Sequence, residues 1–133
     1  MKIPKMIWAG LCATVLLSTV AQAQSHEERI ELGKSKYMES CFACHQPEGQ
    51  GIPMAFPPLA ASDYLNADVN RAIDVILYGK TGEITVNGVK YNGVMVKQDL
   101  SDEEIANILC YVYNSWGNSK KIVSPEMVKN RRK

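Results

Sequence analysis

The five residues Cys41-Phe42-Ala43-Cys44-His45 constrain this chain more than any other feature in it. Two thiols three positions apart at a helix end can each add to one of the two vinyl groups on adjacent edges of a porphyrin, while the next residue brings an imidazole beneath the iron. C-x-x-C-H is accordingly the attachment signature of c-type haem, with His45 as the expected proximal ligand. Other chemistries lack parts. Tetrahedral zinc on Cys41, Cys44 and His45 wants a fourth ligand, for which only His26 and Cys110 remain. A thioredoxin-like redox pair needs a strand leading into a helix, and a helical pattern precedes Cys41 instead. A plain disulfide between Cys41 and Cys44 would close too small a loop to staple a domain.

The start of the chain fits a site of this kind. Lys2 and Lys5 precede an apolar run from Met6 to Val20, and Ala21-Gln22-Ala23 offers the small residues of a cleavage site, so residues 1–23 read as a secretory signal peptide rather than a membrane anchor. Bulky Leu11 before Cys12 argues against lipoprotein processing, and Cys12 leaves with the leader. Export before haem attachment places the mature protein in the periplasm. Without the leader, 13 basic residues face 14 acidic ones. Such a balance excludes nucleic acid as a partner, because phosphate binding needs a basic face. The basic residues Lys129, Arg131, Arg132 and Lys133 gather at the end, where they could steer docking to an acidic partner or give at most peripheral membrane contact. Residues 119–133 therefore read as a basic, flexible tail with at most one short helical turn, leaving residues 24–118 as one domain.

Within that domain the pattern is mainly helical. Ser25 and Glu28 have capping-box spacing, and Ile30, Gly33, Lys34 and Tyr37 follow on one side of a helix running towards Cys41. Between residues 46 and 59 stand Pro47, Gly49, Gly51, Pro53, Pro57 and Pro58, which exclude helix and central strand and predict a long loop packed around something. Asn66 or Asp68 caps a helix through Ala72, Ile73, Ile76 and Leu77, ended by Gly79. A hairpin with Asn87-Gly88 at its tip spans residues 84–91. Ser101 and Glu104 form a second capping box before Ile105, Ile108, Leu109, Val112 and Trp116. Cys110 lies on that helix, either as a semi-buried thiol or as the bridge of a disulfide-linked dimer.

An iron held by His45 on one side needs an account of the other. The candidates after the leader are His26, Met38, Met54, Met95 and Met127. His26 starts the chain, Met38 shares the helix that delivers the thiols, Met54 lies in the loop leaving the proximal side, and Met127 sits in the tail. Met95, fifty residues beyond His45, has enough chain to cross the ring edge and reach the far face. Its alternative role is ordinary core packing.

These features together resemble a class I cytochrome c over residues 27–118. Gly33 and Tyr37 with Ile108 and Tyr111 are similar to the family's crossed terminal helices, where a glycine lets two backbones approach. Pro57-Pro58-Leu59 is similar to the segment whose proline carbonyl accepts a hydrogen bond from the proximal histidine, so a Pro57 or Pro58 carbonyl is implied as support for His45. Tyr91-Asn92-Gly93-Val94-Met95 resembles the distal methionine loop. Val96 departs from the proline that follows the ligand in many relatives, which implies a more mobile loop and a weaker iron bond. Residues 82–118 also look like haem domains associated with copper nitrite reductases. The resemblance implies an all-α cytochrome c fold with crossed N- and C-terminal helices, long haem-wrapping loops and a short β-hairpin. It implies one covalently bound haem c on Cys41 and Cys44, iron ligated by His45 and Met95, and a carrier of single electrons rather than an enzyme. Redox proteins would be its partners, among them a nitrite reductase, a dehydrogenase or a terminal oxidase, and it could be a subunit of one. The competing expectation is a haem sensor or catalyst with an open distal position, supported by Val96 alone.

Overall fold

The computed structural model describes residues 24–133; the expected leader, with Cys12, lies outside the described residues. Among the described residues six helices and one hairpin follow in the order α1 (His26–Ser40), α2 (Phe42–His45), α3 (Asp63–Ala67), α4 (Val69–Tyr78), β1 (Ile84–Val86), β2 (Val89–Tyr91), α5 (Asp102–Tyr113) and α6 (Pro125–Lys129). The all-α class, the crossed terminal helices and the short hairpin are as the sequence predicts.

Local chemistry sets most of the boundaries. Ser101 and Glu104 cap α5 reciprocally: the Ser101 hydroxyl accepts from Glu104 N at 3.2 Å and the Glu104 carboxylate accepts from Ser101 N at 2.9 Å. The Ser101 amide, with Lys36 of α1 next in weight, holds the Glu104 carboxyl down to about 2. At α1 only half of the expected box forms, with Ser25 accepting from Glu28 N at 3.1 Å. Asp68, not Asn66, caps α4, accepting from Asn70 N and Arg71 N. The hairpin pairs Ile84 with Tyr91 and Val86 with Val89, and Asn87 and Gly88 take φ of 51° and 79°, the mirror-image turn that matches strand twist.

The core lies where α1 crosses α5. A Cβ on Gly33 would sit 1.9 Å from the Asn107 carbonyl oxygen and 2.5 Å from its carbon, so only a bare backbone allows this approach. Arg29 and Lys36 flank the crossing, one reaching Asn107 and Glu103 and the other Glu104. Tyr37, Ile73, Ile105 and Tyr113 are wholly buried around it. Every residue of α5 from Ile105 to Tyr113 is buried, because the helix is covered on all sides.

Part of that cover comes from residues 119–133, and here the sequence reading is corrected. The expected flexible tail is a packed segment: Ser124 caps α6, whose Pro125 occupies the first turn, and Val123 and Val128 are fully buried. Arg131 pairs with Asp74 of α4 and Arg132 with Asp102 of α5. These partners lie far away in sequence, so the basic cluster looks solvated when read locally. The segment also settles Cys110, which is fully buried, with its thiol 3.2 Å from the Val123 carbonyl and pushed up by burial. Burial of this kind excludes the disulfide-linked dimer. α3 was not foreseen; Ser62 caps it through Leu65 N at 3.2 Å.

Two outcomes follow for the haem-loaded protein. Gly33→Ala gains about 1 kcal/mol of helix propensity but forces the crossing apart, and overpacking costs roughly 1–3 kcal/mol or more; denaturant unfolding should show net destabilisation. Ending the chain after Ser119 removes two fully buried valines at about 1.5 kcal/mol or more each. It should lower stability by roughly 3 kcal/mol and make Cys110 accessible to a thiol reagent.

Candidate haem site

Helix α1 breaks at Cys41, whose φ of −120° departs from the helical range while its amide still donates to Tyr37 O. The single turn of α2 then carries the motif, and the His45 amide returns to Cys41 O at 3.0 Å. This kink leaves Cys44 exposed, Cys41 half-buried and His45 buried. Burial, with Cys44 adding to it, pushes the Cys41 thiol up to about 11, so it stays protonated rather than acting as an exchange-ready thiolate. The three cysteines among the described residues are free thiols, and no group of three or more His, Cys, Asp or Glu among those residues is placed to hold a bare metal ion.

His45 Nδ1 lies 3.1 Å from the Pro57 carbonyl oxygen. A carbonyl only accepts, so Nδ1 carries the proton and Nε2 keeps its lone pair. Burial lowers the affinity of His45 for a second proton, opposed in part by Pro57, and the ring remains neutral. Of the two prolines expected to support it, Pro57 supplies the hydrogen bond, while Pro58 lies on the cavity wall.

That cavity, of about 230 Å³, is lined by Cys41, Cys44 and His45 on one part of the chain and by Met95 on another. Leu59, Ile76, Leu109 and Val112 also line it. Among the candidate ligands only His45 and Met95 reach it. Met38 and Met54 are exposed, and Met127 packs against the core. Met95 is clamped through its backbone: Lys80 N donates to Met95 O at 2.8 Å and Met95 N to Lys80 O at 2.9 Å. Gly79 permits the clamp, since a Cβ there would lie 2.7 Å from Met95 O. The strand-like alternation turns Met95 inward and leaves Val94 and Val96 65% and 67% exposed. The loop is therefore anchored despite Val96 standing where a proline was looked for.

The donor set fits haem: two thiols for covalent links, a neutral imidazole with a free nitrogen, a thioether from a distant loop and apolar walls. Residues 30–116 match the family described as cytochrome c. The chain belongs to the cytochrome c family. It is similar to a cytochrome c-552 of Thermus thermophilus, 44% identical over 117 residues, covering 84% of this chain and 74% of that one. A second cytochrome c-552 from the same species is 47% identical over 93 residues, covering 66% and 71%. The cytochrome subunit of fructose dehydrogenase from Gluconobacter japonicus is 30% identical over 124 residues, which span 86% of this chain and 26% of that subunit.

This cytochrome holds its proximal loop through Asn118, to which the sequence reading gave no role, and through the aromatic residues of α1 and α5 with Trp116. Asn118 donates to Leu59 O and Val112 O, both at 2.9 Å, and its carbonyl accepts from Ser62 N at 3.3 Å and Asn66 Nδ2 at 3.0 Å. One side chain thus ties the end of the loop to α3 and α5. Trp116 packs against Gly49 and joins Tyr37 and Tyr111 in a cluster with ring centroids 5.2–5.5 Å apart. Tyr37 also donates to Gln46 O at 2.7 Å. The only sequence signal for Asn118 was its place after Gly117, where the chain turns sharply through positive φ.

Asn118→Ala removes four hydrogen bonds; Val112 O keeps Ser115 N and Asn66 Nδ2 keeps Ser62 O, whereas Leu59 O and Ser62 N lose their partner, at roughly 1–3 kcal/mol for each group that stays buried. We expect at least about 2 kcal/mol of destabilisation in denaturant unfolding. Asn118→Asp should fail similarly, because a carboxylate cannot donate to the two carbonyls.

Proposed function

We propose that this cytochrome carries single electrons in the periplasm on one haem c, attached through Cys41 and Cys44 and ligated at iron by His45 and Met95. The observation that carries this reading is the placement of His45 and Met95, fifty residues apart, on one apolar cavity beside both thiols. When bound, the haem supplies a one-electron couple.

The chain's own residues set the terms of that couple. Pro57 fixes the tautomer and ring angle of His45, which presents Nε2 to the metal. Met95 offers sulfur, which favours the ferrous state relative to a second histidine, and the apolar wall disfavours the extra charge of the ferric state. Both raise the potential. If His45 and Met95 both hold the iron, no coordination site would remain for a substrate, which argues for a carrier over a catalyst. The backbone clamp between Lys80 and Met95 argues in the same direction against a gas sensor with an open distal face.

For partners, the relatives favour a dehydrogenase as electron donor. Besides the fructose dehydrogenase subunit, the cytochrome c subunit of a quinone alcohol dehydrogenase from Gluconobacter oxydans is 29% identical over 91 residues, though this chain spans only 19% of it. The likeness to haem domains of copper nitrite reductases rests on residues 82–118 alone and gives that partner, or a terminal oxidase, weaker support. No helix among the described residues is long and apolar enough to cross a membrane. Periplasmic placement rests on the leader pattern at residues 1–23 and on the need to attach haem after export.

The spectrum of the ferric protein tests the ligation. We expect a low-spin form with the weak near-infrared sulfur-to-iron band, and a positive midpoint potential in redox titration. Met95→Ala should abolish the band and lower the midpoint by roughly 100 mV or more, well within the ~0.8 V range over which axial ligands tune haem. A high-spin ferric wild type with a strongly negative midpoint would overturn Met95 ligation.

A further inference from the structure

The loop that brings Met95 to the cavity has two stems, and two adjacent residues from beyond α6 touch both. It leaves α4 at Gly79 and ends where Ser101 caps α5. Its inner side is held to the end of α4 by main-chain bonds, the Lys80–Met95 pair and Gln98 N to Ile76 O at 2.9 Å. Its outer side, with Val94 and Val96, is exposed. Those bonds break together if residues 95–100 swing away from α4.

Arg131 and Arg132 oppose that movement. Arg131 lies against the first stem: Nε donates to Asp74 Oδ1 at 2.8 Å, Nη2 pairs with Asp74 Oδ2, and its carbonyl accepts from the Tyr78 hydroxyl at 2.7 Å. The same hydroxyl accepts from Lys133 N at 2.8 Å, and Tyr78 stands immediately before Gly79. Arg132 lies against the second stem, where Nη2 donates to Leu100 O at 2.7 Å and Nε to the Asp102 carboxylate. The C-terminal half of α4 is thus linked to the start of α5 across the root of the loop. Side-chain exposures of 28–44% for Arg131, Arg132, Asp74 and Asp102 leave these pairs little weight in global stability. Their geometry is nonetheless specific, because the Arg131 fork is bidentate and Arg132 uses one arm on a main-chain carbonyl. Such ties act on local opening, a motion whose free energy is separate from that of global unfolding.

We propose that Arg131 and Arg132 are positioning residues for Met95, bracing both stems of its loop so that the thioether stays on the cavity. This inference rests on the haem reading above. A methionine side chain adapts to small shifts of its backbone, so only parting of the stems withdraws it. When that happens a small nitrogen base can take its place: one iron–sulfur bond breaks, one iron–nitrogen bond forms, and no electron moves. The brace sets how often the stems part.

The test uses full-length ferric protein matured with haem and mixed with imidazole. At saturating imidazole, loss of the sulfur-to-iron band is limited by the departure of Met95. We expect Arg131→Gln/Arg132→Gln to show the band before mixing and to lose it about tenfold faster than wild type, with a smaller effect in each single variant. Arg131→Lys keeps the charge but loses the fork, and its rate should fall between those of wild type and Arg131→Gln. Lys36→Gln removes ion pairs at the α1–α5 crossing, away from the loop, and should keep the wild-type rate. Native-state hydrogen exchange gives a readout that needs no iron ligand. The Lys80, Met95 and Gln98 amides should exchange about tenfold faster in the double variant, with the Cys41 and His45 amides unchanged. Equal imidazole rates or equal loop exchange in wild type and double variant overturn the brace and leave the haem reading standing. A rate raised as much by Lys36→Gln overturns it too, since the effect would then be general loosening. A wild type without the sulfur-to-iron band would instead remove Met95 ligation, and amide exchange alone would decide whether the loop is braced.

Discussion

The approach of Gly33 to the Asn107 carbonyl is the contact on which the rest of the molecule is hung. Helices normally meet with about 8–10 Å between axes, and a glycine at the contact brings two backbones to the close end of that range. Once α1 lies directly on α5, Tyr37 is one turn further along α1 and has to bury against Tyr111 and Trp116. Its hydroxyl then reaches the Gln46 carbonyl just beyond the motif. The position of Cys41 and His45 is thereby inherited from the helix crossing, because the one-turn helix that carries them has no packing of its own sufficient to hold it.

The two sides of the proposed iron site are fixed by different devices. His45 is set by a side-chain hydrogen bond to a loop carbonyl, and that loop is pinned by further backbone bonds: Gly51 N to His45 O at 3.0 Å, Leu59 N to Gly49 O at 2.7 Å, and the Ile52–Phe56 bridge. Met95 is set by its own backbone through Lys80, directly after α4 ends at Gly79. A mobile methionine side chain on a held backbone can meet a metal without strain, since the thioether adapts through three torsions. A histidine has only two, so its ring needs the external hydrogen bond. Neither device depends on the oxidation state of a bound metal, and little reorganisation would accompany electron transfer.

What could be read in advance follows the range of the interaction. Covalent haem attachment demands contiguous residues, so Cys41, Cys44 and His45 are legible at once. Caps and turns are local too, which is why Ser101, Gly79 and Asn87-Gly88 fall where expected. Gly33 was legible only through family likeness, because its reason is a partner 74 positions away. Pro57 and Pro58 were indistinguishable because each offers a carbonyl, and the path of the loop decides between them. Asn118 could not be found by pattern, as its four partners come from three separate segments.

The C-terminal residues show how composition misleads when distance is ignored. Ser124-Pro125 is a good helix start, yet four basic residues downstream of it suggested a solvated end. In the fold two of those charges, Arg131 and Arg132, meet Asp74 and Asp102, which lie on α4 and α5. Exposed pairs of this kind stabilise little singly. The buried valines carry most of the docking energy, and the ion pairs set its register. Closing α5 in this way resolves the odd cysteine as well. A third thiol left accessible in an oxidising compartment would compete with Cys41 and Cys44 during maturation, and Val123 and Val128 keep Cys110 out of reach. The segment that looked least structured thus protects the chemistry on which the haem site depends.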